Sequence, residues 1–199
     1  MTDDPSKIVR RILIYMQNFY ETSDFKSKWL TSIHSKLQLN GVSNSFKTFR
    51  KAEYKQRLED QYLQNWNSLV NDSNRNLFYR GVKREFVYNE SLDDIDQNLT
   101  YWFFKFISSN HRLPIEKGRW DKTPLADRLC TLCYKEVGDE FHFLFNCQYF
   151  DISRKKFIKK YFYKNPSMYK TCELFNSNNT SVLTNLCKFI KEIIMTFRK

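Results

Sequence analysis

Three of the five cysteines and one of the three histidines in this chain lie within an 18-residue stretch. They follow the pattern Cys-x2-Cys-x8-His-x4-Cys, at Cys130, Cys133, His142 and Cys147. Zinc takes four tetrahedral ligands from thiolates and imidazoles, and a Cys-x-x-Cys turn places two sulfurs on one side of an ion. Four ligands with no spare donor nearby indicate a closed, structural Zn2+ site rather than a catalytic site with an open position. The alternative interpretation is a set of buried free cysteines beside a surface histidine.

The segment between the two pairs of ligands must fold back on itself for such a site to form. Val137-Gly138-Asp139 offers the reversal, and Gly138 is expected to supply a positive φ there. Asp139 is expected to cap a short helix that runs from Phe141 to Cys147. A loop this short cannot build a core of its own, so the bound metal must hold it, with a contribution that can reach ~10 kcal/mol.

The remaining cysteines and the N-terminus indicate a reducing compartment. Cys172 and Cys187 lie on helical stretches outside the cluster, and we interpret both as small core residues. The acidic start, Thr2 to Asp4, is unlike a secretory signal, and no apolar run approaches the ~18 residues that a membrane span needs. We therefore expect an intracellular protein, nuclear or cytoplasmic, with no membrane association and no small-molecule substrate.

Composition and periodicity predict a mostly α-helical fold. The 199 residues include 34 aromatic side chains, which is too many for a disordered chain, and only 4 glycines, which is too few for a barrel or a nucleotide-binding loop. Apolar residues recur at helical spacing in several segments, which predicts a helical bundle with a small zinc-bound loop module and C-terminal helices. We divide the chain into a helical body (1–110), a zinc-knuckle module with a basic lead-in (111–150) and basic C-terminal helices (151–199).

Local signals give approximate helix bounds. Asp4-Pro5 predicts a first helix, Asp24 and Asn40-Gly41 bracket a second, and a longer third ends near Leu69. Ser91 with Asp94 resembles a capping box that opens a helix ending near Ile107. Residues 75–90 are ambiguous, and Phe86-Val87-Tyr88 fits a short strand. Residues 110–129 are predicted to be a loop, and helices are predicted over 151–161, after Pro166 and from Ser181.

Positive charge is concentrated in the second half of the chain. Residues 1–100 carry 15 basic and 13 acidic side chains, whereas residues 101–199 carry 18 and 9, within a net charge of +11. An excess of this kind favours polyanions, and a nearby tryptophan can stack on unpaired bases. The alternative interpretation is a solvated, lysine-rich helix face that binds no ligand. The candidate nucleic-acid-binding residues are Arg112, Lys117, Arg119, Trp120, Arg128, Arg154 and Lys155.

These residues resemble a known family. The stretch from His111 to Trp120, an arginine before the first cysteine (Arg128) and the Cys-Cys-His-Cys cluster are similar to the C-terminal region of reverse transcriptases from non-LTR (LINE-type) retrotransposons. The acidic pair before the histidine (Asp139-Glu140) and the aromatic and arginine after the last cysteine (Tyr149 and Arg154) also match. The resemblance is specific over 100–154 and weaker over 45–99, where Tyr62, Trp66, Tyr79 and Phe86 resemble the helical linker of the family.

The resemblance implies a zinc knuckle that helps hold template RNA or target DNA beside a polymerase. No Tyr-x-Asp-Asp-type pair on a hairpin is present for a two-metal site, and the nearest acidic pair, Asp93-Asp94, precedes a helix. We therefore expect a non-enzymatic, nucleic-acid-binding zinc-knuckle fragment of such a reverse transcriptase. The alternatives are a helical protein–protein interaction module with a purely structural zinc, or a decayed fragment without function.

Overall fold

The computed structural model describes residues 11, 12, 14, 15, 18, 22, 28–39, 41 and 51–198. Asp4, Pro5 and Asp24 lie outside the described residues, and the described positions of the helix predicted after Asp4-Pro5, which are 11, 12, 14, 15 and 18, are helical. Contacts divide the chain into two compact units, Met1–Ser68 and Leu69–Lys199. The boundaries that we placed at 110/111 and 150/151 fall within the second unit and stay predictions.

The described regular elements are helical, which confirms the mostly α fold. Outside the helices, the described residues contain one isolated antiparallel β-bridge, between Leu129 and Val137. The α-helices are α1 (Lys28–Leu39), α2 (Lys51–Asp72), α3 (Leu77–Val82), α4 (Gln97–Ile107), α5 (Pro114–Trp120), α6 (Asp151–Phe157), α7 (Lys160–Tyr163), α8 (Met168–Phe175) and α9 (Thr180–Thr196). Shorter 3-10 turns are Glu90–Leu92, Leu125–Asp127 and Gln148–Phe150, and His142–Asn146 forms one wide π-type turn.

The core of the second unit is built around the contact between α4 and α9. Both helices bury one apolar face, because their large side chains recur every three to four residues. The fully buried set includes Phe103, Phe106, Leu183, Leu186, Phe189, Ile190 and Ile193. Aromatic side chains continue this core toward the cysteine cluster, since the ring of Phe143 lies 4.8 Å from that of Phe197 and 6.1 Å from that of Phe150.

The two cysteines outside the cluster take different positions. Cys187 is fully buried on the inner face of α9, as predicted, and burial raises the pKa of its thiol to about 12. Cys172 is only half-buried on α8, where its Sγ donates to the carbonyl oxygen of Val82 over 3.1 Å.

Several predicted boundaries are corrected by the structure. The predicted loop 110–129 contains α5, because Pro114 occupies the first helical turn, where a missing N–H costs nothing. Helix α4 is capped by Asp96, whose Oδ1 accepts from the N–H of Asn98 over 2.8 Å, and not by Ser91. The helix predicted over 151–161 stops at Phe157, where Ile158 is extended, and α7 follows separately. Residues 86–88 form no strand.

The stop predicted at Asn40-Gly41 agrees with the end of α1 at Leu39. Gly41 has a φ of 60°, which is the left-handed conformation that commonly ends a helix. No helix in the described ranges combines the length and the apolar character required to cross a membrane.

Candidate metal centre

The structure brings the four predicted ligands together. One donor atom from each of Cys130, Cys133, His142 and Cys147 lies within 4.8 Å of the others. The Sγ atoms of Cys130 and Cys147 are 3.8 Å apart, and the Sγ of Cys133 is 3.3 Å from Nε2 of His142. Cys130 and Cys147 are fully buried and His142 nearly so. This convergence of three sulfurs and one imidazole nitrogen can hold a metal ion.

The backbone of residues 128–138, which carries the first ligand pair, folds back on itself, and we call this segment the knuckle. The N–H of Cys130 donates to the carbonyl of Glu136 over 2.8 Å, and the N–H of Tyr134 donates to the carbonyl of Cys130 over 2.9 Å. The N–H of Leu132 points at the Sγ of Cys130 over 3.4 Å, an orientation that favours a thiolate. Tyr134 has a φ of 57°, so the left-handed residue of this turn is a tyrosine.

Gly138 is needed for a different reason from the one that we predicted. Its φ is not positive, so the expected left-handed turn is wrong at this residue. A Cβ at this position would lie 2.8 Å from Cγ of Pro114 and 3.1 Å from Cα of Cys130. Glycine is therefore required because the knuckle and the start of α5 approach each other too closely for any side chain.

Replacement of Gly138 by alanine is expected to lower the free energy of unfolding by about 1–3 kcal/mol, the usual cost of inserting a methyl group into a packed site. Urea denaturation of the metal-loaded protein measures this loss. Gly81→Ala is the control, because the added Cβ would meet only the mobile end of Met168. Equal stability of the Gly138→Ala and Gly81→Ala proteins would contradict this packing explanation.

His142 is oriented by a carboxylate on the opposite side of its ring. Its Nδ1 lies 2.9 Å from Oε2 of Glu136, which leaves Nε2 facing the sulfurs. The same Oε2 accepts from Nδ2 of Asn146 over 3.1 Å. The His142 hydrogen bond first, and then that of Asn146, holds the pKa of Glu136 below its usual value. The N–H of His142 donates to Oδ1 of Asp139 over 2.7 Å, so the predicted Asp139 cap is confirmed.

Glu136→Gln is expected to weaken metal affinity by about 10- to 100-fold, because carboxylates behind a ligating histidine fix its tautomer and raise its basicity. Competition with a chromophoric chelator at fixed pH measures the affinity. Glu173→Gln serves as the matched control, because that carboxylate accepts from the hydroxyl of the exposed Tyr161 and lies outside the cluster. An unchanged affinity in Glu136→Gln would show that the Glu136 contact does not tune the ligand.

The pKa values of the three cluster thiols differ when no metal is bound. Burial raises the pKa of Cys130, and it raises the pKa of Cys147 to about 12. For Cys133 the effect of burial is outweighed by the N–H of Lys135 and by hydrogen bonds from the other two thiols, so its pKa lies below the usual value. Cys133 is therefore the thiol that ionises most readily.

Metal binding at pH 7 is expected to release protons, because thiolates are the ligands and Cys130 and Cys147 are protonated without metal. The affinity should rise with pH and fall as pH is lowered, because protons then compete for the sulfurs. Calorimetric titration in buffers of different ionisation enthalpy counts the released protons. Release of fewer than two protons per ion at pH 7 would contradict this assignment.

Arg154, which we predicted to contact phosphates, is used inside the protein instead. Its side chain is only 4% exposed. Nε donates to the carbonyl of Leu144 over 2.7 Å and Nη2 to that of Cys147 over 2.8 Å, while Nη1 pairs with Asp151. The guanidinium therefore closes the C-terminal end of the π-type turn that carries His142, and it is not available to a polyanion.

Four of the other predicted residues line one surface groove of about 590 Å3, which we call the knuckle groove. They are Arg112, Lys117, Trp120 and Arg128. Arg128 is partly used within the fold, because its Nε donates to the carbonyl of Thr123 and its Nη1 to that of Ile115.

Like Arg154, the other two predicted residues, Arg119 and Lys155, do not line the knuckle groove. Arg119 is half-buried and forms two hydrogen bonds with the buried carboxylate of Glu116, of 3.0 and 2.9 Å. Arg75 also approaches that carboxylate, at 3.6 Å. Lys155 is exposed on α6.

A second groove, of about 410 Å3, adjoins the first and shares Arg112, Trp120 and Phe197 with it. We call it the tryptophan groove. It also contains Trp102, Lys105 and Arg198, none of which the sequence analysis singled out. No pattern in the sequence links Trp102, on α4, to Arg198, which follows α9 at the other end of the unit.

The described residues thus define a helical protein with a Cys3His cluster able to hold a metal ion and a basic, aromatic surface beside it. Comparisons with protein-family models, with curated proteins and with solved structures each gave no match.

Proposed function

We propose that this chain is a non-catalytic nucleic-acid-binding module whose binding surface is held in place by a structural Zn2+ ion. The retrotransposon reverse transcriptase resemblance supports the same function and rests on the motif residues alone. The observation that carries the proposal is the direct attachment of α5, which bears Lys117 and Trp120, to the knuckle that holds the cysteines.

The donor set supports zinc as the metal. A tetrahedral ion with Zn–S bonds of about 2.3 Å has S–S edges of about 3.8 Å. The Sγ–Sγ distance between Cys130 and Cys147 is 3.8 Å, and the cluster supplies four donors, which fill a tetrahedral shell. When bound, zinc would cross-link residues 130–147 and would have no open position for a substrate.

Three contacts attach α5 to the knuckle. The N–H of Ile115 donates to the carbonyl of Gly138 over 3.1 Å, and Pro114 packs against Gly138. The third contact is a hydrogen bond from Nη1 of Arg128 to the carbonyl of Ile115, of 3.1 Å. Because the ligands fix the knuckle and the knuckle fixes α5, loss of the metal should release the basic groups on α5.

Charge at the knuckle groove supports a polyanionic ligand. Three cations, Arg112, Lys117 and Arg128, and two carboxylates, Asp121 and Asp127, line this groove. The adjoining groove adds Lys105 and Arg198. Lysine and arginine side chains gathered on one face attract phosphates and make binding depend steeply on salt.

The proposal is tested by fluorescence-anisotropy titration of zinc-loaded protein with RNA and DNA oligonucleotides between 50 and 200 mM salt. The expected result is an affinity that falls steeply with salt and is lost on chelation. Arg112→Gln with Lys117→Gln should weaken binding and lower the salt slope by about two. Lys164→Gln is the charge-matched control, since Lys164 is exposed and lines neither groove. Binding that is unchanged between the two salt concentrations would refute the phosphate contacts.

A helical protein–protein interaction module is the second candidate, and one surface feature favours it. Phe86, Val87 and Tyr88 are consecutive and 49%, 63% and 58% exposed, which leaves a short apolar run in water. This candidate predicts a structural zinc but no retention on RNA or heparin at physiological ionic strength, so the same titration separates the two functions.

A further inference from the structure

The tryptophan groove lies between the C-terminal half of α4, the segment before α5, the end of α5 and the end of α9. Its volume of about 410 Å3 and its open mouth suit a flat ligand of modest size. The lining residues are Trp102, Lys105, Asn110, His111, Arg112, Trp120, Ile194, Phe197 and Arg198.

The lysine and arginine side chains that line this groove are not balanced by any carboxylate among its described lining residues. The cations are Lys105, Arg112 and Arg198. The wall residue His111 contacts an acid, Glu140, which is buried and lies 3.0 Å from Nε2 of His111. The groove is therefore complementary to an anion.

Two of the cations are held in position by an aromatic ring. Trp102 is 9% exposed, and its ring lies 5.7 Å from Nζ of Lys105 and 5.7 Å from Cζ of Arg198. Cation–π contacts of this kind restrain long side chains that would otherwise sample many rotamers. Trp120 differs, because it is 49% exposed and presents its indole to solvent at the edge shared by both grooves.

We infer that the tryptophan groove binds single-stranded nucleic acid, with an unpaired base stacked on Trp120 and its flanking phosphates on Lys105, Arg112 and Arg198. This inference rests on the proposed function and assigns its ligand class. A stacking face beside a row of cations is the arrangement that suits unpaired nucleotides. A base within a duplex has both faces covered by its neighbours and cannot stack on a side chain.

The attachment of the groove to the metal centre follows from its walls. His111 is joined through Glu140 to the segment that carries His142, and Oγ of Ser109 donates to the same carboxylate over 3.1 Å. Trp120 lies at the end of α5, which the knuckle holds in place. Two side chains of the ligand site, His111 and Trp120, are therefore positioned by the metal-binding segment.

The test is an anisotropy titration of the zinc-loaded full chain at 100 mM salt with fluorescein-labelled 12-mers: oligo-U, oligo-dT and a DNA duplex. Trp120→Ala, Trp120→Phe and the control Tyr169→Ala are compared with the original protein. Tyr169 is an exposed aromatic residue outside both grooves. Zinc content and thermal midpoint of each variant verify that it is folded.

The expected result is that Trp120→Ala weakens single-strand binding by about tenfold or more while duplex binding changes little. Trp120→Phe should restore most of the single-strand affinity, because it keeps a stacking face, and Tyr169→Ala should bind like the original protein. Binding of both oligo-U and oligo-dT supports the inference, because the base face and the phosphates are common to RNA and DNA.

Salt-dependent binding that is equal for single strands and duplex, and is unaffected in Trp120→Ala, would overturn the groove assignment and leave the proposed function standing. Absence of any nucleic-acid binding by the zinc-loaded protein would overturn both. Equal competition by polyglutamate and by oligo-dT would also overturn the inference, since an acidic peptide offers charge without a stacking base.

Discussion

Replacement of Cys147 by serine is expected to abolish zinc binding and to unfold the segment that contains residues 128–150. The sulfur is fully buried between Cys130 and the turn of His142, and a serine hydroxyl is a poor zinc ligand. Because the metal holds a loop without a core of its own, its loss should cost several kcal/mol and can approach ~10 kcal/mol. Zinc content by native mass spectrometry should fall from one ion per chain to none.

Cys172→Ser is the matched control for this variant. Cys172 donates to the carbonyl of Val82 over 3.1 Å, and a hydroxyl can donate to the same acceptor, so stability should change by less than ~1 kcal/mol and zinc should be retained. Thermal unfolding with and without chelator measures both effects. A Cys147→Ser protein with one tightly bound zinc, or with the original melting temperature, would show that Cys147 is not a ligand.

The cluster itself could be predicted because the types and the spacing of its residues are those of a zinc site. Three cysteines and a histidine have few other reasons to lie so close together, and Asp139 was correctly placed as the cap of the ligand-bearing turn. The long apolar stripes of α4 and α9 were predicted for the same reason, since a core face repeats with the period of the helix.

The placement of α5 and the role of Gly138 could not be predicted, because each depends on a contact between distant segments. Pro114 fits a loop as well as a first helical turn, and its packing against Gly138, 24 positions along the chain, is a contact that no local pattern shows. The tryptophan groove has the same origin, since Trp102, Trp120 and Arg198 meet only after α4, α5 and α9 have packed. Local sequence patterns carry no information about tertiary contacts of this kind.

Arg154 illustrates why a charge pattern is a weak guide to a surface. It stands beside Lys155 in a basic run, and both were predicted to bind nucleic acid. The π-type turn His142–Asn146 ends at Cys147, so its last carbonyls have no helical partner. The guanidinium of Arg154 fills this deficit, and burial lowers its pKa while Asp151 opposes that shift. Lys155 remains exposed and is available to ligands.

Arg154→Met is therefore expected to lower the free energy of unfolding by about 3–5 kcal/mol, because two backbone carbonyls each lose a hydrogen bond from a charged group, at roughly 1.5–3 kcal/mol per bond. Methionine fills much of the volume but leaves the carbonyl of Leu144 without its donor, and the carbonyl of Cys147 keeps only the longer hydrogen bond from the N–H of Phe150, of 3.2 Å. Asp151 adds little to this cost, since its side chain is 51% exposed and well solvated. Because one of the affected carbonyls belongs to Cys147, a candidate metal ligand, zinc affinity should fall as well.

Urea denaturation at saturating zinc measures the loss, and Lys155→Met is the matched control. An exposed lysine contributes little to packing, so Lys155→Met should stay within about 0.5 kcal/mol of the original protein. The two variants remove the same charge from neighbouring positions, which separates structural from electrostatic effects. If Arg154→Met weakened nucleic-acid binding without any change in unfolding free energy or zinc affinity, the guanidinium would be a phosphate contact and its internal role would be wrong.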